Sequence, residues 1–227
     1  MANLYIIGTP IGNLEDITFR AVKTLKEVDL ILCEDTRTTK KLLDKYNIPT
    51  PTSSYNSQSS VSKKDFIFKL LEDGKNLALV SDAGTPCISD PGVLIVSQVK
   101  EHFKDEVQVI PIPGPSALIT ALSASGVPSS EFTFLGFLPH KKGRETLFKE
   151  IAETKSAVAF YESPHRILKT LESLKTHLDE NRKITIAREL TKIFEQFIDG
   201  TPSEIIEYFE KNKDKVRGEF VVIVSRS

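Results

Sequence analysis

Between Val80 and Gly92 the chain reads Val-Ser-Asp-Ala-Gly-Thr-Pro-Cys-Ile-Ser-Asp-Pro-Gly, a run that sets carboxylates among residues that bend or stiffen the backbone. Asp82 and Asp90 bring negative charge. Gly84 and Gly92 allow close backbone approach and φ values closed to other residues, while Pro86 and Pro91 stiffen the path. A capped helix start, with Ser89 or Asp90 as N-cap and Pro91 at the first helical position, explains only residues 89–92. Asp82 to Thr85 are left over, and a ligand loop accounts for them. A second pair of carboxylates, Glu34-Asp35, precedes Thr36-Arg37. It reads equally as a base with its orienter or as a helix cap, with Asp35 or Thr36 capping and Glu34 paired to Arg37. His165 is a candidate base or phosphate contact, or a surface residue in the first helical turn after Pro164. His140-Lys141-Lys142-Gly143-Arg144 is the densest basic cluster, with Lys149 nearby. It is either a solvated loop or an anchor for phosphates, and Arg37, Arg166 and Arg188 would extend it.

Alternating strand and helix signals position these groups. Leu4–Ile7, Asp29–Cys33, Asn76–Ser81 and Val107–Pro111 read as strands. Between them, Ile17, Ala21, Leu25 and Val28 mark a helical stripe, Thr39, Leu42, Leu43 and Tyr46 a second, and Lys64–Leu71 and Val93–Phe103 two more. The polar stretch Thr50–Ser62 reads as a loop. Such alternation implies a largely parallel sheet covered by helices, whose ligands bind beyond the carboxyl ends of the strands. Pro111-Ile112-Pro113-Gly114-Pro115 ends a strand at Ile110 and launches an apolar helix over Ser116–Ser123. Beyond Gly126-Val127-Pro128 the strand candidates are Phe132–Leu138, Ser156–Tyr161, Ile184–Ala187, Lys192–Ile198 and Glu219–Val224, with helices at 144–152, 164–177 and 203–211. Lys192–Ile198 alternates polar and apolar, which suits a sheet with one wet face. The fold class expected is therefore α/β, as two α/β domains (1–114 and 115–227) with a ligand cleft between them.

The 227 residues include 40% apolar and 27% charged side chains at a net charge of −1, the profile of an ordinary globular protein without a uniformly basic surface. Cys33 and Cys87 stand alone, which argues against a disulfide framework or a zinc site and suits a reducing compartment. The four histidines, His102, His140, His165 and His177, are scattered, so no metal is expected. The N-terminus enters a strand without a signal-peptide pattern, and no apolar run approaches the ~20 residues of a membrane span. A soluble, cytoplasmic protein is expected.

Gly8-Thr9-Pro10-Ile11-Gly12-Asn13-Leu14 follows the first strand but is neither a dinucleotide fingerprint nor a Walker A loop. Three Gly/Pro-rich loops, at 8–14, 82–92 and 111–117, fall at carboxyl ends of strands in one domain. Together they suit a ligand wrapped by backbone, as an adenosyl cofactor is held. Here the chain resembles the tetrapyrrole methylase superfamily, and within it the small-subunit rRNA methyltransferase I group. The resemblance rests on the loop at 8–14, Cys33-Glu34-Asp35-Thr36-Arg37, Ser81–Gly92, Ile112-Pro113-Gly114-Pro115-Ser116-Ala117, Phe134-Leu135-Gly136-Phe137-Leu138-Pro139, Phe160-Tyr161-Glu162-Ser163-Pro164-His165-Arg166 and Ala187-Arg188-Glu189-Leu190-Thr191-Lys192.

The resemblance implies 2′-O-methylation of a cytidine ribose in small-subunit (16S) rRNA with S-adenosylmethionine. It implies cofactor contacts at Pro10, Asp82, Thr85, Ser116 and Ala117, with Gly114 in the same loop, and backbone approach at Tyr161 and Glu162. Glu34, Asp35 and His165 are then the candidate catalytic residues. Arg37, Lys141, Lys142, Arg144, Arg166 and Arg188 are the candidate RNA contacts, and the small ribosomal subunit is the partner. Larger members of the group carry a further C-terminal segment, whereas this chain stops just after its terminal strand. Docking would then fall to the two core domains, with a homodimer expected. Two rival readings are a relative acting on a tetrapyrrole or a protein side chain, and a non-catalytic nucleotide-binding module. Activity on RNA rather than porphyrinoids separates the first, and methyl turnover the second.

Overall fold

Short apolar runs, too short for helices, become most of the strands, and the 3.6-residue stripes between them become the helices that cover them. The computed structural model describes residues 1–56, 60–90 and 92–226. The chain divides into two compact units, Met1–Ser116 and Ala117–Ser227.

The first unit runs β1 (Ala2–Ile7), α1 (Phe19–Glu27), β2 (Leu30–Cys33), α2 (Thr36–Lys45), β3 (Thr52–Ser54), α3 (Val61–Glu72), β4 (Leu77–Leu79), α4 (Val93–Phe103) and β5 (Val107–Ile112). Its sheet has the order β3-β2-β4-β1-β5, with every pairing parallel. Side chains alternate across the sheet. Leu4, Leu32 and Leu77 pack with Ile67, Phe68, Ile95 and Val99 of α3 and α4. Ile7, Ile31 and Ala78 pack with Ala21, Leu25 and Leu43 of α1 and α2. Because the strands are parallel, the segments after β1, β2, β4 and β5 all emerge at one edge.

The second unit runs α5 (Ala117–Ala124), β6 (Phe132–Phe137), α6 (Arg144–Glu153), β7 (Ala157–Glu162), α7 (Ile167–His177), β8 (Ile184–Arg188), β9 (Gln196–Gly200), α8 (Pro202–Lys211) and β10 (Phe220–Val224). The sheet order is β6-β7-β10-β8-β9; β6 and β7 are parallel and the other pairings antiparallel. Phe148, Ile167, Leu171, Ile205 and Phe209 pack on Phe160, Ile186 and Val222 in a single core. Among the described residues no helix is long and apolar enough to cross a membrane.

Four expectations need correcting. β5 continues through Pro111 to Ile112, paired with Ile6 and Ile7, because it is an edge strand, where a missing N–H is tolerated. The polar stretch at 50–62 contains β3, whose pairing with β2 is set by backbone rather than by apolar side chains; residues 57–59 of that stretch, and Pro91, lie outside the described residues. Residues 192–195 form a turn, and β9 begins only at Gln196. Glu189 and Thr191 there take left-handed φ values of 51° and 64°, and the Lys192 ammonium closes the turn on Glu189 Oε1 and Glu219 Oε2 at 2.9 and 2.8 Å. Finally, Pro164, His165 and Arg166 form a turn, with α7 starting at Ile167.

Candidate active site

Three of the loops at the carboxyl edge of the first unit's sheet are tied directly to one another. Thr9 and Gly84 exchange backbone hydrogen bonds of 2.9 and 3.0 Å, joining the loop after β1 to the loop after β4. The Thr85 hydroxyl donates to the Pro115 carbonyl at 3.0 Å, joining the loop after β4 to that after β5. Gly8 and Gly114 complete the triangle by contact. A methyl group on Gly114 would lie 2.7 Å from the Gly8 carbonyl oxygen, and one on Gly8 would lie 2.8 Å from Gly114 Cα. Gly114 is thus required by loop-on-loop packing, whatever else its backbone meets. Pro10 is buried and Ser116 half-buried beside these contacts. The loop after β4 departs furthest from relaxed backbone: Cys87 and Ser89 hold φ of 71° and 60°, a conformation costing L-residues about 1 kcal/mol each and concentrated at functional sites.

Glu34 and Asp82 clasp each other at the ends of β2 and β4. The Asp82 N–H donates to the Glu34 carboxylate, and the Asp35 N–H donates to Asp82 Oδ1 at 3.1 Å. Burial, then the nearby Asp90 charge and, more weakly, Asp82, push the Glu34 pKa up, against the lowering effect of the Asp82 N–H. None of these three carboxylates forms an ion pair among the described residues. Asp90 Oδ1 accepts the Gly92 N–H at 2.7 Å, while its buried Oδ2 has no hydrogen-bond partner among the described residues. Asp35 behaves differently. It caps α2 by accepting the Arg37 N–H at 2.8 Å and takes the Arg37 guanidinium at 2.7–3.2 Å, contacts that hold its pKa at about 2. Of these two carboxylates, Asp35 is the helix cap and Glu34 the one whose pKa is raised.

In the second unit, the Tyr161 hydroxyl accepts the Leu118 N–H at the start of α5, which brings Tyr161 beside Ala117. Its ring packs against Phe134 and Phe137, centroids 5.0 and 5.4 Å apart. The Glu162 side chain is fully buried. It accepts from the Ser163 N–H at 2.8 Å, the Arg166 guanidinium at 2.7 Å and the Thr170 hydroxyl at 2.7 Å, and lies 3.6 Å from Arg144. His165 is exposed in the turn before α7.

The basic candidates separate by burial. Lys141 and Lys142 are exposed, and neither makes an ion pair among the described residues. Three arginines require correction as RNA contacts. Arg144 is 6% exposed and donates to the Pro139 carbonyl and the Thr170 hydroxyl at 3.0 and 2.6 Å. Arg166 is bound to Glu162 and to the Leu138 carbonyl. Arg188, 5% exposed, donates to the carbonyls of Arg217 and Phe194. Guanidiniums so occupied have few donors left for phosphate. Arg37 is exposed but forked onto Asp35. Sequence reasoning missed Thr170, because Glu162 ends β7 and Arg166 lies in the turn before α7, so no single periodicity links the three residues that the fold brings together.

The tetrapyrrole (corrin/porphyrin) methylase family matches residues 3–206. The ribosomal RNA small subunit methyltransferase I of Thermotoga maritima is 48% identical over 225 residues, covering 99% of both chains. That of Bacillus subtilis is 47% identical over 228 residues, covering 100% of this chain and 76% of the relative. Among solved structures, the cobalt precorrin-4 methyltransferase CbiF superposes with a TM-score of 0.72 at 16% identity, covering 98% of this chain and 94% of that one. Uroporphyrin-III C-methyltransferase from Thermus thermophilus, complexed with S-adenosyl homocysteine, does so with a TM-score of 0.66 at 18% identity, covering 98% and 97%.

Proposed function

Since this chain belongs to the tetrapyrrole methylase family and, within it, to the ribosomal RNA small subunit methyltransferase I group, we propose that it methylates the ribose 2′-hydroxyl of a cytidine in small-subunit (16S) rRNA, using S-adenosylmethionine. The observation that carries this reading is the 48% identity with the Thermotoga relative over 99% of both chains.

The residues present fit the cofactor. Asp90 Oδ2 is buried without a partner among the described residues, beside Glu34 and Asp82, an acidic edge suited to a ligand bearing ammonium and hydroxyl donors and a positively charged sulfonium. When bound, the cofactor supplies an electrophilic methyl group. Pro10, Asp82, Thr85, Gly114 and Ser116 of the first unit would hold it. Thr85 would contribute acceptor lone pairs, because its proton is engaged by Pro115. Glu34 would take the 2′-hydroxyl proton, its basicity raised by burial and by Asp90, while the Asp82 N–H orients the carboxylate. Asp35 would hold the start of α2, and His165 would serve as a phosphate contact. Lys141 and Lys142, with Arg37 at the margin, would bind RNA phosphates.

The enzyme would act in the cytoplasm, a reading supported by its two free thiols, and as a homodimer. Light scattering tests the dimer. Mass-spectrometric mapping of small-subunit rRNA from cells with and without the gene tests the activity. A modification map unchanged by deletion would reject it.

A further inference from the structure

Two of the three arginines withdrawn from the RNA surface share one arrangement. Arg144, the first residue of α6, and Arg166, in the turn before α7, converge on Glu162 at the end of β7. Thr170 Oγ1 bridges them, accepting from Arg144 at 2.6 Å and donating to Glu162 Oε2 at 2.7 Å. The Thr170 and Glu162 side chains are fully buried. Two guanidiniums facing one carboxylate leave surplus buried N–H donors. Those donors go to two consecutive backbone carbonyls: Arg166 donates to Leu138 at 2.8 Å and Arg144 to Pro139 at 3.0 Å. Leu138 and Pro139 carry the chain out of β6 into His140-Lys141-Lys142-Gly143, where both lysines are exposed. Glu162 also takes the Ser163 N–H and so holds the turn that presents His165. Releasing either carbonyl would orphan a buried charged donor, so the loop cannot drift without a large penalty.

We propose that Glu162, Arg144, Arg166 and Thr170 form a positioning clamp that fixes the 138–143 loop, and with it Lys141 and Lys142, as a preorganised anion-binding edge for the RNA backbone. The proposal rests on the RNA reading above for the identity of the anion, but not for the clamp itself. Preorganisation lowers the cost of ordering flexible lysines on binding, which explains why buried arginines underlie an exposed lysine loop.

The test uses the full chain with Thr170→Val, which removes the bridge at nearly constant volume, Thr170→Ser, which restores the hydroxyl, and Arg144→Lys, which keeps the charge but not the fork. Hydrogen exchange of the amides of Leu138 and of residues 140–143, measured without RNA, reads the clamp; kinetics on small ribosomal subunits read its consequence. For Thr170→Val and Arg144→Lys the expected result is faster exchange at 138–143 and a severalfold higher KM at nearly unchanged kcat. The salt slope of RNA binding should fall toward that of Lys141→Glu/Lys142→Glu, and Thr170→Ser should match the parent. Unchanged exchange in both Thr170→Val and Arg144→Lys overturns the clamp. So does a Thr170→Ser variant as impaired as Thr170→Val, since the hydroxyl would then not be the working group. Faster exchange without any KM or salt-slope change overturns the link to RNA while leaving the carbonyl clamp standing. Loss of all methylation by the parent chain would instead reject the functional reading.

Discussion

Glu34 and Asp35 are adjacent carboxylates with opposite fates, and the difference lies in what each can reach. Asp35 sits where a helix begins, so the free Arg37 N–H and guanidinium bind it and hold it at about 2. Glu34 is drawn inward beside Asp90 and is pushed up. A carboxylate made more basic by its surroundings is the better proton acceptor. Glu34→Gln should therefore lower single-turnover methyl transfer by about 10²–10⁴-fold with cofactor binding retained, the usual range for a lost base. Asp35→Asn, which still caps, should stay within a fewfold of the parent. The rate should fall as pH drops through a value above the ordinary carboxylate range, because the base must be ionised. Stability carries the opposite sign. A carboxyl whose folded pKa is raised contributes stability only at low pH and loses it as pH rises through that value. Glu34→Gln should thus melt higher than the parent near neutral pH and equally in acid, where both side chains are uncharged. Melting curves at the two pH values check this.

At the level of strands, loops and turns, burial decides what a charged residue does. Lys141, Lys142 and Arg144 are indistinguishable as a basic run, but only the lysines face solvent. Lys141→Glu with Lys142→Glu should leave thermal stability nearly unchanged and weaken RNA binding. Arg144→Glu should unfold the second unit, because it sets two buried carboxylates side by side where breaking a buried pair alone costs about 3–5 kcal/mol. Circular dichroism and filter binding separate the two. Gly114→Ala is a parallel case in the first unit. Its new methyl would meet Gly8 backbone within 2.9 Å, which cannot swing away as a side chain would, so destabilisation of about 1–3 kcal/mol is expected in denaturant melts.

The same contrast explains how much was legible in the sequence. The strand–helix alternation of the first unit was readable because parallel strands are continuous apolar runs, as in Leu30–Cys33 and Leu77–Leu79. The Asp82 and Asp90 loop stood out by its turn chemistry. Strand β3 and the 192–195 turn were not readable. The first is held by backbone pairing at a sheet edge, the second by Lys192 reaching Glu219, 27 residues away. Nor could spacing alone reveal that Gly8 and Gly114 meet, or that Asp35 rather than Glu34 would be captured by Arg37.

For the whole molecule, the puzzle is that a chain of net charge −1 should engage a polyanion. The carboxyl edge of the first sheet is acidic, with Glu34, Asp82 and Asp90, and suits a cationic cofactor better than phosphate. Two of the candidate and neighbouring cations are already engaged, Arg37 by Asp35 and Lys192 by Glu189 and Glu219. Among the candidate RNA contacts, only Lys141 and Lys142 are both exposed and without an ion pair among the described residues, so they are the ones expected to supply counterion-releasing contacts. Binding to small-subunit rRNA should consequently depend only weakly on salt for an RNA-binding protein, because few phosphates are neutralised. The two lysines together should account for about 1.4 of the slope of log Kobs against log salt if each meets one single-strand phosphate. Titrations from low to physiological salt, on the parent and on Lys141→Glu/Lys142→Glu, measure both quantities. A steep parental slope that survives the double substitution would mean that RNA is held by a surface other than the 138–143 loop.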